Sequence, residues 1–292
     1  MQTIEWLGMR LIVPDDWEIV RHAVDVSAGS ILMIDRRRQR LQWSWTACAK
    51  PPDEKTIFDD FKNRDRVELP ECVLTDLYKC GQFSVYRRTS DNIEITRAGT
   101  FDKRLKMWID IVIPWPDGYQ SDSERRILES YRGARSDAHG IRWCAFKLDY
   151  ISPKGWKLTE AEIKPGRAAM YFEKDHNRAM VARIGAVDAW FDGHLENFLL
   201  KQVTDATGTC KVGLKGNHES CLFSGWERRF SFRWLVGLRR KRLDSVWHCP
   251  ESQAMYHVMT SGYENTLVHP DTFPVQCCKS GSKGMENTHE TP

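Results

Sequence analysis

The sequence predicts an α+β fold of two tandem domains, each an antiparallel β-sheet with helices packed on its faces. Three observations lead there. First, Met9-Arg-Leu-Ile-Val-Pro14-Asp-Asp-Trp17-Glu-Ile is echoed by Leu148-Asp-Tyr-Ile-Ser-Pro153-Lys-Gly-Trp156-Lys-Leu, about half the chain further on. Each is a short strand, a Pro-led turn with Trp three residues later, and a second strand. Second, strand-like runs follow one another directly, which implies antiparallel pairing rather than βαβ crossovers. Third, amphipathic helix patterns fall between those runs. At 292 residues the chain can build two cores of ordinary size.

The first unit covers residues 1–135. A strand at 9–13 ends at Pro14, and a second apolar run spans 30–35. Residues 40–46 alternate cleanly, with Leu41, Trp43 and Trp45 on one face and Gln42, Ser44 and Thr46 on the other. Pro51-Pro52-Asp53 opens a helix carrying Ile57, Phe58 and Phe61 on one stripe. Strands are expected at 82–88, 92–98 and 104–113. The last turns Leu105, Met107, Ile109, Ile111 and Ile113 inward. Ser121-Asp-Ser-Glu124 reads as a capping box for a closing helix with Ile127, Leu128 and Tyr131.

The polar stretch 133–140 reads as a linker, and the second unit covers 141–273. Its strands are expected at 145–151, 168–173, 178–184, 219–224, 227–236, 243–249 and 254–259, with a helix at 192–203. A short helix is expected before Pro270. Residues 274–292 are polar and aperiodic, the composition of a disordered tail.

This layout resembles the PsbP-like α/β/α sandwich family, on the strength of Leu11–Val13 with Pro14 and Trp17, and Leu148–Ile151 with Pro153 and Trp156. Ile127-Leu128-Glu129-Ser130-Tyr131 also looks like that family's last helix. The resemblance implies a non-catalytic domain that docks onto a larger partner, and transfers no binding residue, because a fold does not carry a function.

Bulk composition narrows the classes. The chain is 41% hydrophobic with 12 Trp and 12 Phe, which fits globular folding. A net charge of +3 implies no general polyanion surface. Nine cysteines without a Cys-x-x-Cys motif, an N-terminus unlike a signal peptide and no long apolar run lead to an expectation of a cytoplasmic protein with reduced thiols and no membrane span. Neither G-x-x-x-x-G-K-[ST], G-x-G-x-x-G nor His-Glu-x-x-His occurs, so no cofactor is expected.

The expected role is a non-catalytic adaptor or accessory subunit that works through protein–protein contacts. Two basic clusters, Arg36-Arg37-Arg38 with Arg40 and Arg239-Arg240-Lys241-Arg242, stand where hairpins would turn. They suit an acidic protein partner or a larger complex, with RNA or another polyanion as the alternative. A second alternative is a metal site or Cys/His enzyme in the second unit, because His218, Cys221 and His248 are metal-ligand types close in sequence. Against it, His248 and Cys249 are adjacent on a strand and point to opposite faces. Cys249 shares its face with Leu243 and Trp247 and reads as core, while Cys277-Cys278 reads as an idle pair of thiols in the tail. Trp17 and Trp156 are expected beneath their proline turns as core anchors.

Overall fold

The computed structural model of the chain describes residues 1–91, 93–133, 140–228 and 239–278. It is mostly β: the described strands form three antiparallel sheets, of eight, seven and four strands, accompanied by three α-helices. The chain divides into two compact units, Met1–Ser136 with Cys144–Phe146, and Asp137–Trp143 with Lys147–Pro292. No helix among the described residues is long and apolar enough to cross a membrane.

In the first unit β1 (Gln2–Trp6) and β2 (Met9–Val13) form a tight hairpin. Pro14 then turns the chain, and the Trp17 amide donates to the Pro14 carbonyl at 3.3 Å. There follow β3 (Glu18–Arg21), β4 (Ala28–Ile34), β5 (Gln39–Ala47), helix α1 (Glu54–Glu68), the short β6 (Val73–Leu74) and β7 (Tyr78–Cys80), then β8 (Phe83–Ser90), β9 (Ile93–Asp102), β10 (Met107–Trp115) and helix α2 (Ser121–Ser130). The large sheet runs β3-β4-β5-β10-β9-β8-β6, with β7 also on β8.

Alternation explains why this sheet has two buried faces. Trp43 lies opposite Ile111 and Trp45 opposite Ile109, so all four share one face. There Tyr131 meets Trp43 and Phe83 edge-on. The other face receives Phe58 of α1 against Tyr86 and Trp108. Asp53 caps α1 by accepting from the Lys55 amide at 3.1 Å, which contributes about 1 kcal/mol. The capping box expected for α2 does not form. Its N-cap is Gln120, which makes no side-chain cap bond. Glu124 turns inward instead and accepts from the hydroxyls of Tyr78, Tyr119 and Thr96. Three hydroxyl donors, that of Thr96 fully buried, hold it where a single frayed amide would have.

Further along come β11 (Ile141–Ala145), β12 (Leu148–Ser152), β13 (Lys157–Lys164), β14 (Arg167–Lys174), β15 (Asn177–Ile184), helix α3 (Leu195–Gln202), β16 (Ala206–Lys215), β17 (His218–Glu227), β18 (Arg240–Cys249) and β19 (Ala254–Tyr263). The seven-stranded sheet runs β13-β14-β15-β19-β18-β17-β16. The proline corner is built again, with the Trp156 amide donating to the Pro153 carbonyl at 3.3 Å. Trp17 and Trp156 are both buried, as expected of anchors. One face of this sheet packs Cys221, Phe223, Val246 and Met255 against Leu195 and Leu199 of α3. Tyr150, Trp143 and Phe273 gather around Phe172 in a second aromatic core.

Four expectations for the second unit change. The edge strand β16 was not expected, because Gly208 and Gly213 interrupt the alternation of Cys210, Val212 and Leu214 with Thr209 and Lys211. The strand expected at 219–224 runs on from 218 to 227, and 229–236 of the strand expected at 227–236 lie outside the described residues. The expected short helix is a 3₁₀ turn at Pro270–Thr272. The start of the expected tail is ordered: the Ile151 amide donates to Pro274 at 3.2 Å and the Gln276 amide to Asp149 at 2.8 Å. Tyr150 and Val275 form a bridge between these bonds. Residues 279–292, and 134–139 of the expected linker, lie outside the described residues.

A candidate metal centre

Three segments of the second unit converge on one point. His218 opens β17, just after the turn at Gly216, whose φ of 60° suits a residue without a Cβ. Cys249 closes β18. Ser220 pairs with Trp247 across these strands, and the same register carried two residues outward sets His218 opposite Cys249 on a common face. The bonds of residues 274 and 276 to β12 deliver Cys277 and Cys278 to that face.

The side-chain geometry is that of a ligand set. His218 Nε2 lies 3.3 Å from Cys277 Sγ and 3.4 Å from Cys278 Sγ, and the two sulfurs are 3.9 Å apart. The four potential ligand atoms of His218, Cys249, Cys277 and Cys278 all lie within 4.8 Å of one another. A tetrahedral zinc with Zn–S of about 2.3 Å and Zn–N of about 2.0 Å separates its sulfurs by about 3.8 Å and sulfur from nitrogen by about 3.5 Å. The spacings among His218, Cys277 and Cys278 match those values, and Cys249 Sγ lies within 4.8 Å of each.

The surroundings also suit a cation bound by thiolates. Cys249 is fully buried, and the other three are half-buried. Burial pushes the Cys277 thiol up to about 12, and the neighbouring Cys249 and Cys278 push the same way against the nearby Trp247 indole, which pulls it down. Crowded thiols resist ionising together unless a cation joins them. Trp247 is held in place by stacking on Tyr256, with ring centroids 5.6 Å apart. Lys215 places its ammonium 4.1 Å from the Trp247 ring and pairs with Asp271 at 2.8 Å. A tris-thiolate zinc site carries a net negative charge, and this lysine brings a positive one close by.

The residues singled out from sequence fall in two places. His218 belongs to the cluster. Cys221, an odd number of residues along the same strand, points to the α3 face and is fully buried there beside Phe223 and Val246. His248 lies on that face too, 5.7 Å from Phe191. Neither Cys221 nor His248 joins His218. Cys249, set aside as core, and Cys277 and Cys278, placed in the tail, supply the sulfurs instead. The missing information was strand register, which alone pairs 218 with 249, together with the ordering of residues 274–278.

The basic clusters are largely internal. Arg36, Arg37 and Arg38 do form the β4–β5 turn, but Arg38 and Arg40 both pair with Asp117, and Arg40 also with Asp35. Arg36 and Arg37 remain exposed. The second cluster is not a hairpin tip. Arg240, Lys241 and Arg242 lie within β18, where Arg240 pairs with Glu227, Lys241 with Glu264, and Arg242 with Asp244 and Asp205. Arg239 immediately precedes that strand. Cations already answered by acids of their own unit offer little to a polyanion.

No family model, curated protein or solved structure matches the chain. The likeness to PsbP-like sandwiches therefore rests on the motif residues alone, and function has to be argued from the site.

Proposed function

We propose that the second unit is a metal-binding module whose centre takes a single thiophilic divalent cation, zinc above all, on His218, Cys249, Cys277 and Cys278. The observation that carries this reading is the convergence of four ligand atoms within 4.8 Å from three separate segments. Four protein ligands complete a tetrahedral shell and leave no position for a substrate or an activated water, so the role is structural. The metal fastens residues 274–278 to the ends of β17 and β18. The matching order of the two large sheets and the repeated proline corner support a further reading, that the two units are copies of one domain acting as a non-catalytic adaptor.

Elemental analysis of protein purified without chelator tests the metal. The expected result is about one zinc per chain, replaceable by cobalt with an absorption spectrum typical of thiolate ligation. Protein that carries no thiophilic metal, and gains no thermal stability from added zinc under reducing conditions, would overturn the reading.

A further inference from the structure

The two large sheets end in four rims, and three are protected against pairing with another chain. In β3 the register shifts between Ile19 and Arg21. The opposite rim of that sheet is broken into β6 and β7, of two and three residues. In β13 the register shifts between Leu158 and Glu160, and Glu160 and Glu162 place acids on the strand. Bulges, brevity and charge are the usual means of blunting an edge.

The fourth rim, β16, is long and unbulged, and its only charges are Lys211 and Lys215. Its ten residues, Ala-Thr-Gly-Thr-Cys-Lys-Val-Gly-Leu-Lys, pair with β17 without a break from Ala206–Glu227 to Lys215–His218. It contains no proline and no acid. Among the described residues no strand covers its outer edge. Val212 and Leu214 share one face and are 60% and 79% exposed. Lys211 projects from the other face, exposed and without an ion-pair partner among the described residues.

We propose that β16 is a docking edge for an extended acidic peptide of a partner protein, which adds a strand to the seven-stranded sheet. Backbone pairing along β16 supplies affinity that is indifferent to sequence, and the alternating side chains supply selectivity. Apolar residues of the peptide lie beside Val212 and Leu214, and its acids lie beside Lys211 on the other face. Charge decides against a second copy of this chain, because β16 carries lysines and no acid, so β16 laid against β16 offers them no opposite charge. This proposal does not depend on the metal reading.

Fluorescence anisotropy with a labelled decapeptide of alternating glutamate and valine tests it on the full-length protein. The expected result is saturable binding, weakened at least about tenfold by Lys211→Glu and by Val212→Glu, and abolished by N-methylation of alternate peptide amides. Lys211→Glu should in turn favour a peptide of alternating lysine and valine. Both substitutions are at exposed positions, and unchanged circular dichroism confirms folding. Equal binding of the N-methylated peptide would reduce the contact to bare electrostatics and overturn the proposal. So would absence of binding, or a concentration-dependent dimer in sedimentation that Lys211→Glu dissolves.

Discussion

His218 Nε2 stands 3.3 Å from Cys277 Sγ, although the two residues are 59 apart in the chain. Nothing local brings them together. His218 is fixed by the β16–β17 turn, and Cys277 by a segment laid along β12. A lone thiol–imidazole contact at this distance could be a weak hydrogen bond. With Cys278 at 3.4 Å and Cys249 within 4.8 Å it forms part of the ligand set proposed for zinc, and such a set would give the ordered segment 274–278 a reason to stay down.

Cysteine substitutions should separate the two faces of the sheet. Cys278→Ser is expected to abolish stoichiometric zinc, whereas Cys221→Ser, on the α3 face, should leave metal content intact. The cost of Cys221→Ser is expected instead as about 1–3 kcal/mol of stability, from a hydroxyl buried among Phe223 and Val246. Metal analysis beside urea unfolding reads both effects. Full zinc retention by Cys278→Ser would remove it from the centre.

Trp247 is a positioning residue for that centre. Trp247→Phe keeps a ring to stack on Tyr256 but removes the indole N–H that holds the Cys277 thiol down. Loss of such an outer partner weakens metal binding by about 10–100-fold. A competition titration against a chromophoric chelator measures it. An unchanged affinity would show that Trp247 contributes only packing.

Legibility followed periodicity. Ile109, Ile111, Trp43 and Trp45 announced a buried face by strict alternation, and the sheet confirms each as core. The Pro14 and Pro153 corners were readable because proline fixes φ and the same Trp follows each. β16 was missed because Gly208 and Gly213 interrupt its alternation of Cys210, Val212 and Leu214 with Thr209, Lys211 and Lys215. The site failed for a different reason. Cys249 alternates with Trp247 and so reads as core, and it is core, fully buried, while also facing His218. Register between strands is a long-range property, and no local pattern in β17 or β18 encodes it.

Asp110 should destabilise the first unit at neutral pH. It sits beneath α1, where burial pushes its carboxyl up despite Arg97 and Arg64. Its Oδ1 accepts no hydrogen bond, and Arg97 Nε stands 3.6 Å away. A carboxyl whose folded value is raised contributes its full stability below the unfolded value and loses it as pH rises through the folded one. Asp110→Asn is therefore expected to raise the unfolding midpoint at pH 7, with the gain shrinking as pH falls toward the unfolded value of about 4. A loss of stability at pH 7 would mean that Arg97 outweighs burial.

Asp244 carries the opposite sign. It is fully buried on β18, gripped by Arg242 at 2.7 and 2.9 Å and by His257 Nε2 at 2.8 Å, while Arg242 reaches Asp205 at the surface. Burial works to raise its carboxyl, but the bonds and charges of His257 and Arg242 prevail and hold it below the usual range. Its contribution is present above the unfolded value of about 4 and is lost as pH falls through the folded one. Asp244→Ala leaves Arg242 and His257 buried without their shared acceptor and is expected to cost about 3–5 kcal/mol, whereas Asp205→Ala at the exposed end should cost under about 1 kcal/mol. Urea unfolding of both variants at pH 7, repeated at pH 4 and below, measures the difference. The gap between Asp244→Ala and wild type should narrow in acid, because the wild type then loses the same carboxylate. A gap that stays constant would place the cost in packing.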